Sequence, residues 1–376
     1  MKVTVSQQNL AHAVNTVSRA VSPRTTLPVL GNVLVATDEG RLRLSATNLE
    51  LGISCWIGAQ IEEDGAITVP ARTFADLVST LPSDSVKLTV DQRTQSLNVV
   101  CSASNTDIRG IDAQEYPPMA VLSPDSGIEL NYADFKEMIQ QVAFSASVDD
   151  ARPVLQGVLL TINDQEISLA ATDGYRISVR HAGIPSPVEK EISAIIPARA
   201  LNELARLASD GEKTVRLVLP SGRGQAIFSL QDAELSTLLI DGTFPDYKVI
   251  IPRNFKTTSI ISTGSFLKAC KQAEIIAREG NNVIRLNIQP GQQDAPGQVE
   301  ITAQNEETGS SEIQVDANIE GPALVIAFNV KFLREVLDVI KTPSIALETN
   351  ANNTPGCIRP VGDEDYQHVI MPMHLG

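Results

Sequence analysis

Aromatic side chains are scarce. They make up 4% of the 376 residues, with a single tryptophan, although hydrophobic residues reach 43%. The cores must therefore be filled by Val, Ile, Leu and Ala, and the length fits two or three domains at ~100–200 residues each. Cysteine is limited to Cys55, Cys101, Cys270 and Cys357, with no CxxC pair. That spacing excludes a thiolate zinc site, and a chain this long needs no disulfide staples, so reduced and buried thiols are expected. No apolar run is long enough to span a membrane, and the opening MKVTVSQQNLAHAV has no apolar signal core. A cytosolic location follows as the expectation. The phosphate-cradling GxxxxGK motif, HExxH and GxSxG are all missing, so no nucleotide, zinc or serine-nucleophile chemistry is expected, and no cofactor. Positive charge is short as well: the net charge is −15 and the pI near 4.8. Taken at face value, that argues against a nucleic-acid partner.

What the chain does have is repetition. Leu27–Asn48 reads LPVLGNVLVATDEGRLRLSATN, and Arg152–Arg180 reads RPVLQGVLLTINDQEISLAATDGYRISVR. A gapless shift of 125 residues matches Pro28 with Pro153, Leu30 with Leu155, Leu34 with Leu159, Leu44 with Leu169, and Thr47 with Thr172, among others. Alternating apolar and polar residues mark two strands in the second copy, Val154–Ile162 and Glu166–Ala170, with a turn at Asn163-Asp164. VEITAQNE, at 299–306, is a third and more diverged version of the same strand end. A repeat of one domain's length in a chain of about three governs the rest of the reading.

Helical spacing recurs twice per repeat. The first helices read Ser6–Arg19, with Ser6 as N-cap, then Asn131–Phe144 and Gly264–Glu279. The second helices follow Val69-Pro70-Ala71-Arg72 and its copy Ile196-Pro197-Ala198-Arg199, as Thr73–Leu81 and Ala200–Ala208; the third repeat has Lys331–Ile340. The last strand is read over Gln367–Leu375. Strands outnumber helices and mostly alternate, so the fold class is α+β: three repeated domains, each a helix pair packed on antiparallel sheets. Three such units either stack as an open array or close on themselves, and closure hides the sheet edges.

Candidates for catalysis are few. His12, His181, His368 and His374 are scattered, and are read as packed or solvated. Asp149, Asp150 and Asp173 could form an acid pair, which with Arg176 would make a hydrolase or transferase. Their simpler reading is as loop and turn caps. The helices carry more signal: Arg19, Arg72, Lys136, Arg199, Arg206, Lys268, Lys271, Arg278, Lys331, Arg334 and Lys341 lie on or beside them, whereas acids gather elsewhere. That is either a basic side of the molecule or an ordinary solvated face, since Asp134, Glu137, Glu203, Glu274, Glu335 and Asp338 share those helices.

Several motifs then fall together: LPVLGN followed by SATNLE, RPVLQGVLL followed by AATDGYR, DGTFPDY, and a C-terminal VIMPMHL. In this order, over essentially the whole chain, they resemble the bacterial sliding clamps, the β subunits of DNA polymerase III. The resemblance implies the DNA clamp fold with domains at 1–122, 123–252 and 253–376. It implies no catalysis, but a head-to-tail homodimeric ring around double-stranded DNA that gives a polymerase processivity. Arg24, Arg72, Lys136, Arg152, Arg199, Arg206, Lys268, Lys271 and Arg278 would line the hole loosely. Ile108, on an edge strand Asn105–Ile111, would meet Lys271, Ile275 and Ile276 of the other subunit; Thr106 stands where an aromatic is frequent. A pocket for short apolar peptides would be walled by Leu155, Thr172, Gly174, Tyr175, Arg176, Ile177, Pro245 and Ile250. From the tail it would take Val369, Met371, Pro372, Met373 and His374. Implied partners are the DNA polymerase III α subunit, a clamp loader, other polymerases and repair proteins. Tyr175 replaces a commoner His, Val249 a frequent Arg, and His374 the Arg of the usual ending. A monomeric β-rich peptide-binding scaffold remains as another class of reading.

Overall fold

A computed structural model of the chain describes residues 1–22, 27–119, 127–207, 211–220, 222, 224–291 and 296–374. The described helices are α1 Gln7–Val17, α2 Ala71–Thr80, α3 Tyr132–Val142, α4 Ala198–Leu207, α5 Thr263–Ala277 and α6 Val330–Val339. None is long and apolar enough to cross a membrane. Ser6 takes the N-cap position of α1 but its side chain makes no cap bond. The first helical amide, that of Gln7, is satisfied from outside the helix by the Asp84 carbonyl at 3.0 Å. Helices α2 and α4 start two residues earlier than the spacing indicates, immediately after Pro70 and Pro197.

The chain forms two compact units, Met1–Ala133 with Arg199–Leu239, and Asp134–Ala198 with Ile240–Gly376. In the first, an eight-stranded sheet contains, in spatial order, Ile128–Asn131, Thr214–Val218, Gln225–Ser229, Ala233–Leu238, Leu51–Gly58, Arg41–Thr47, Asn32–Asp38 and Ala66–Pro70. A five-stranded sheet ends on Ser96–Cys101 and Ser104–Arg109. The second unit holds a ten-stranded sheet, in which Arg176–Pro197 is flanked by Gly157–Thr172 and Tyr366–Ile370. All pairings in these sheets are antiparallel, as the alternation required. The second unit's core is aliphatic with a few rings, among them Phe266, Leu286, Ile301, Phe328, Leu333 and Tyr366. Each such side chain contributes ~1.5–3 kcal/mol by leaving water. The four cysteines are free and buried.

The strand expected from Val154 begins only at Gly157, because Pro153–Gln156 coil into a 3-10 turn in which the Leu155 amide donates to the Arg152 carbonyl. The Asn163-Asp164 turn falls inside a strand assigned over Gly157–Thr172. It shows as two breaks in register around Asp164, whose φ is +52°. The corresponding Glu39-Gly40 turn has both residues at positive φ, 47° and 77°, as a two-residue hairpin requires.

Register reveals an order that repeats. In the first unit Leu217, Phe228, Leu235, Ile53 and Ala46 stand opposite one another in one row across five strands. In the second, Leu347, Ile358, His368, Ser178 and Ala171 form the same row. Each row crosses from the last strand of one repeat to the strand after the conserved turn of the preceding repeat. Two half-rows are left over. Leu88, Val99 and Thr106 end at the free side of Ser104–Arg109. Ala303 and Ser311 end at the free side of Gly309–Glu320, which has a second neighbour only from Ala317 onward.

Candidate functional site: an apolar cavity and the charged helices

The cavity is built on the turn Thr172–Arg176. The Asp173 carboxylate accepts the Tyr175 and Arg176 amides at 2.9 and 3.1 Å. The Thr172 hydroxyl accepts the Gly174 amide at 3.0 Å and donates to the Arg176 carbonyl at 2.7 Å. Gly174 sits at φ +95°, where a residue without Cβ is at ease. Short polar side chains that bond their own backbone are what hold such a turn.

Around it, Leu155, Thr172, Gly174, Tyr175, Arg176, Ile177, Pro245, Ile250, Val369 and Met371 line a cavity of about 280 Å³, together with Tyr247. Tyr247, set edge-on to Phe244, was not singled out from the sequence, although it lies within the DGTFPDYKVI segment that was. Pro372, Met373 and His374, expected in the wall, do not line the cavity. The Met371 amide donates to the Tyr175 carbonyl and the Met373 amide to Ala327, both at 2.8 Å, so the tail leaves the strand at Ile370 and crosses to another. Pro372 sits between these two donors, where its missing N–H costs nothing. His374 is exposed.

Arg176 is only 7% exposed and every side of its guanidinium is used. Nε donates to Asp173 at 3.1 Å, one Nη to Glu335 and the other to the Phe144 carbonyl at 2.9 Å. Its plane lies 4.3 Å from the Phe332 ring centre and 5.2 Å from that of Phe144. A buried guanidinium requires such compensation, and the result is a wall that cannot easily move. Below it, His368 Nδ1 lies 2.6 Å from the Ser178 hydroxyl, and the ring stacks on Phe144. Burial, and then the Arg176 charge, hold its imidazole well below the usual range, so it is neutral.

Asp149 and Asp173 do not act as an acid pair. Asp149 accepts the Ala151 amide and the Arg152 guanidinium, both at 3.0 Å, and those bonds, the amide first, keep its carboxyl below the ordinary value. Asp173 is occupied by its own turn. Each carboxylate is engaged by its own turn and not by the other, so the hydrolase reading is not supported.

Arg24 lies outside the described residues. Among the other helix cations, Lys271 pairs with Asp338 at 2.9 Å, Arg206 with Glu203 at 3.2 Å and Arg278 with Glu279 at 3.6 Å. Arg199 reaches the Arg19 carbonyl at 3.5 Å, and Arg152 is turned to Asp149. Lys136 is half-buried. Arg72, 95% exposed and only 3.9 Å from Asp76, and exposed Lys268 are the more available ones. Positive charge is therefore present on the helices but largely offset.

Ile108 does not offer the apolar contact expected of it. It is 5% exposed, directed into its own sheet opposite Leu97, and the outward-facing residues of that strand are Asn105, Asp107 and Arg109. Ile275 is exposed and shares a shallow groove with Leu267, Lys268 and Lys271, whereas Ile276 packs on the core.

Three family models match the chain: DNA polymerase III beta subunit N-terminal domain over residues 1–120, central domain over 129–246 and C-terminal domain over 248–374. The beta sliding clamp of Synechococcus elongatus is 32% identical with 100% of both chains covered, and that of Staphylococcus aureus 30% with 99% of both. Among solved structures, the DNA polymerase sliding clamp from Bacillus subtilis is similar with a TM-score of 0.93 at 28% identity, and the DNA polymerase III subunit beta from Pseudomonas aeruginosa with 0.90 at 28%. Each covers 100% of both chains. The three-domain plan and the two compact units are reconciled by the strand rows, since the central domain places four of its strands in the first domain's eight-stranded sheet and its two long ones in the third domain's ten-stranded sheet. With its fold, its turns and its full length all matched, the chain belongs to the β sliding clamp family of DNA polymerase III, whose members are processivity factors and not catalysts.

Proposed function

We propose that two copies of this chain close head to tail into a ring around duplex DNA and tether the polymerase that travels with it. The observation that carries the reading is the divided strand row. Two junctions between repeats are complete within the chain, and the third exists only as its two halves, at Thr106 and at Ser311. Neither free strand has a neighbour on that side among the described residues, so a second copy supplies it. Superposing the register of the complete rows sets Thr106 opposite Ser311 of the partner subunit. Sheets continuous around a ring leave no exposed edge there, which resolves the hazard that an open array would carry.

The offset charge of the helices suits this work. A ring holds DNA by enclosure, so few and loose phosphate contacts suffice, and tight ones would impede sliding. Arg72 and Lys268 are the strongest candidates for such contacts, and Arg152, bound to Asp149 and to the Asp173 carbonyl, the weakest. The cavity on the Thr172–Arg176 turn is the docking site, taking apolar side chains of short peptides from the polymerase, a clamp loader and repair enzymes in the cytoplasm. Flexible, polarizable Met371 lets one wall fit several sequences. Retention tests the reading: once loaded, the ring stays on circular DNA and is lost when the circle is cut. Equal loss from intact circles would contradict it. Deleting Met371–Gly376 should abolish peptide docking and leave the dimer intact; a monomer would move the tail from the docking site to the interface.

A further inference from the structure

The molecule's thiols are poorly placed to respond to oxidants. All four are buried, and burial pushes Cys55 up to about 12 and Cys357 up to about 11, with Cys270 higher still, so thiolate is suppressed. The thioethers differ from one another. Met1 and Met138 are buried, Met119 and Met373 half-buried, and Met371 is 40% exposed while forming part of the cavity wall. Its backbone is fixed to the Tyr175 carbonyl at 2.8 Å, which holds the residue beside the turn that builds the cavity. The most exposed methionine of the chain thus belongs to the wall of its apolar cavity.

We propose that Met371 is a peroxide-sensitive modification site, whose conversion to methionine sulfoxide weakens docking in the cavity. The proposal rests on the docking reading above. A sulfur lone pair attacks one peroxide oxygen; the S–O bond forms as the O–O bond breaks, and the departing hydroxide takes the proton of the sulfur-bound hydroxyl, leaving sulfoxide and water. Sulfur loses two electrons and the peroxide gains them. The product is reversible by a sulfoxide reductase using a dithiol. The new oxygen is a strong acceptor, and two of the cavity's side-chain donors are already committed. The Thr172 hydroxyl is committed to the Arg176 carbonyl, and the Arg176 guanidinium to Asp173, Glu335 and Phe144. A sulfoxide oxygen is strongly hydrated, and stripping that water opposes the entry of an apolar side chain.

The test uses the full chain, hydrogen peroxide, and a fluorescein-labelled pentapeptide carrying adjacent leucine and phenylalanine. Peptide mass spectrometry follows each methionine, and anisotropy follows binding before and after treatment. Met371 should oxidise ahead of Met119 and Met373, and the affinity should fall about tenfold, as expected for one unpaired polar group. The ratio of treated to untreated affinity should return to near one in Met371→Leu, whatever that variant's own affinity, and should remain about tenfold in Met373→Leu. Full Met371 sulfoxide with unchanged affinity would overturn the proposal, as would an undiminished peroxide effect in Met371→Leu. If the untreated protein fails to bind the peptide at all, the docking reading fails first and this proposal with it.

Discussion

The turns Thr47–Leu51 and Thr172–Arg176 are built from the same bonds but carry different side chains, and the second opens on the cavity described above. In the first, the Asn48 side chain accepts the Glu50 and Leu51 amides at 3.0 and 2.7 Å, and the Thr47 hydroxyl accepts Leu49 and donates to Leu51, both at 3.0 Å. Even the next strand is attached alike: Leu238 donates to the Glu50 carbonyl at 2.8 Å as Met371 does to Tyr175. The third repeat keeps the core of the device, with Asn305 accepting the Glu307 and Thr308 amides. Side chains make the difference. Leu49 is forced to φ +78° where Gly174 is relaxed. Leu51 is buried as an ordinary apolar residue where Arg176 is held by two carboxylates. Gly52 leaves room for Met119, whose Cε lies 2.8 Å from where a Cβ would stand, whereas the corresponding Ile177 is itself cavity wall. Hydrogen bonds set the frame, and three side-chain positions decide whether it encloses space.

Exchanging those positions is the way to break the comparison. The largest effect is expected from Arg176→Leu, which installs the first turn's residue. It strands Asp173, Glu335 and the Phe144 carbonyl, so a loss of ~3 kcal/mol is expected in urea unfolding. A loss under about 1 kcal/mol would mean that the guanidinium is dispensable and the turns interchangeable. Next comes a mirrored pair. Gly174→Leu should cost ~1–2 kcal/mol, since a left-handed conformation strains any residue with Cβ and the Arg152 guanidinium lies 3.2 Å from that Cβ. Leu49→Gly relieves the same strain and should gain about 0.5 kcal/mol after the entropy of an added glycine. Thermal melts that moved in the same direction for both would refute the equivalence.

A further exchange sharpens the junction strands. Glu234 stands opposite Ser54, where the second unit places neutral Gln367 opposite Val179. Burial raises the Glu234 carboxyl from 4.5 to about 7, only partly countered by Arg43. A folded value above the unfolded one means the folded state binds more protons between pH 4.5 and 7. Stability is therefore lost as pH rises through that window, and the penalty is full above it. Glu234→Gln should stabilise the protein at pH 8 and do nothing below pH 4.5. A gain independent of pH would point to packing instead of charge.

Much of this was legible in the sequence, and for identifiable reasons. Alternation and helical spacing report which face of an element is buried, so α1–α6 and the antiparallel sheets were readable, and the matched text of Leu27–Asn48 and Arg152–Arg180 disclosed the shared turn. The cavity positions came from likeness of motif, because periodicity carries no information about enclosed space. What could not be read depends on distant partners. Arg176 is held by Glu335, 159 residues away. The Gln7 amide at the start of α1 is satisfied by the distant Asp84 carbonyl, and Ile108 is buried by a neighbouring strand. Pro372, Met373 and His374 lie next to a cavity residue in the chain, but the two amide bonds of the tail carry them past it. The divided row was invisible for the same reason: register belongs to pairs of strands and not to any one of them.

Ring closure through that row can be examined directly with Thr106→Cys and Ser311→Cys in one chain. Directly opposed residues of antiparallel strands lie ~4.5–5.5 Å apart, within disulfide reach, and the native cysteines are buried. Mild oxidation should yield a covalent dimer on denaturing gels, stable on circular DNA against high salt, with neither single variant crosslinking. A double variant that stays monomeric after oxidation would contradict the closure of this chain into a ring through Ser104–Arg109 and Gly309–Glu320.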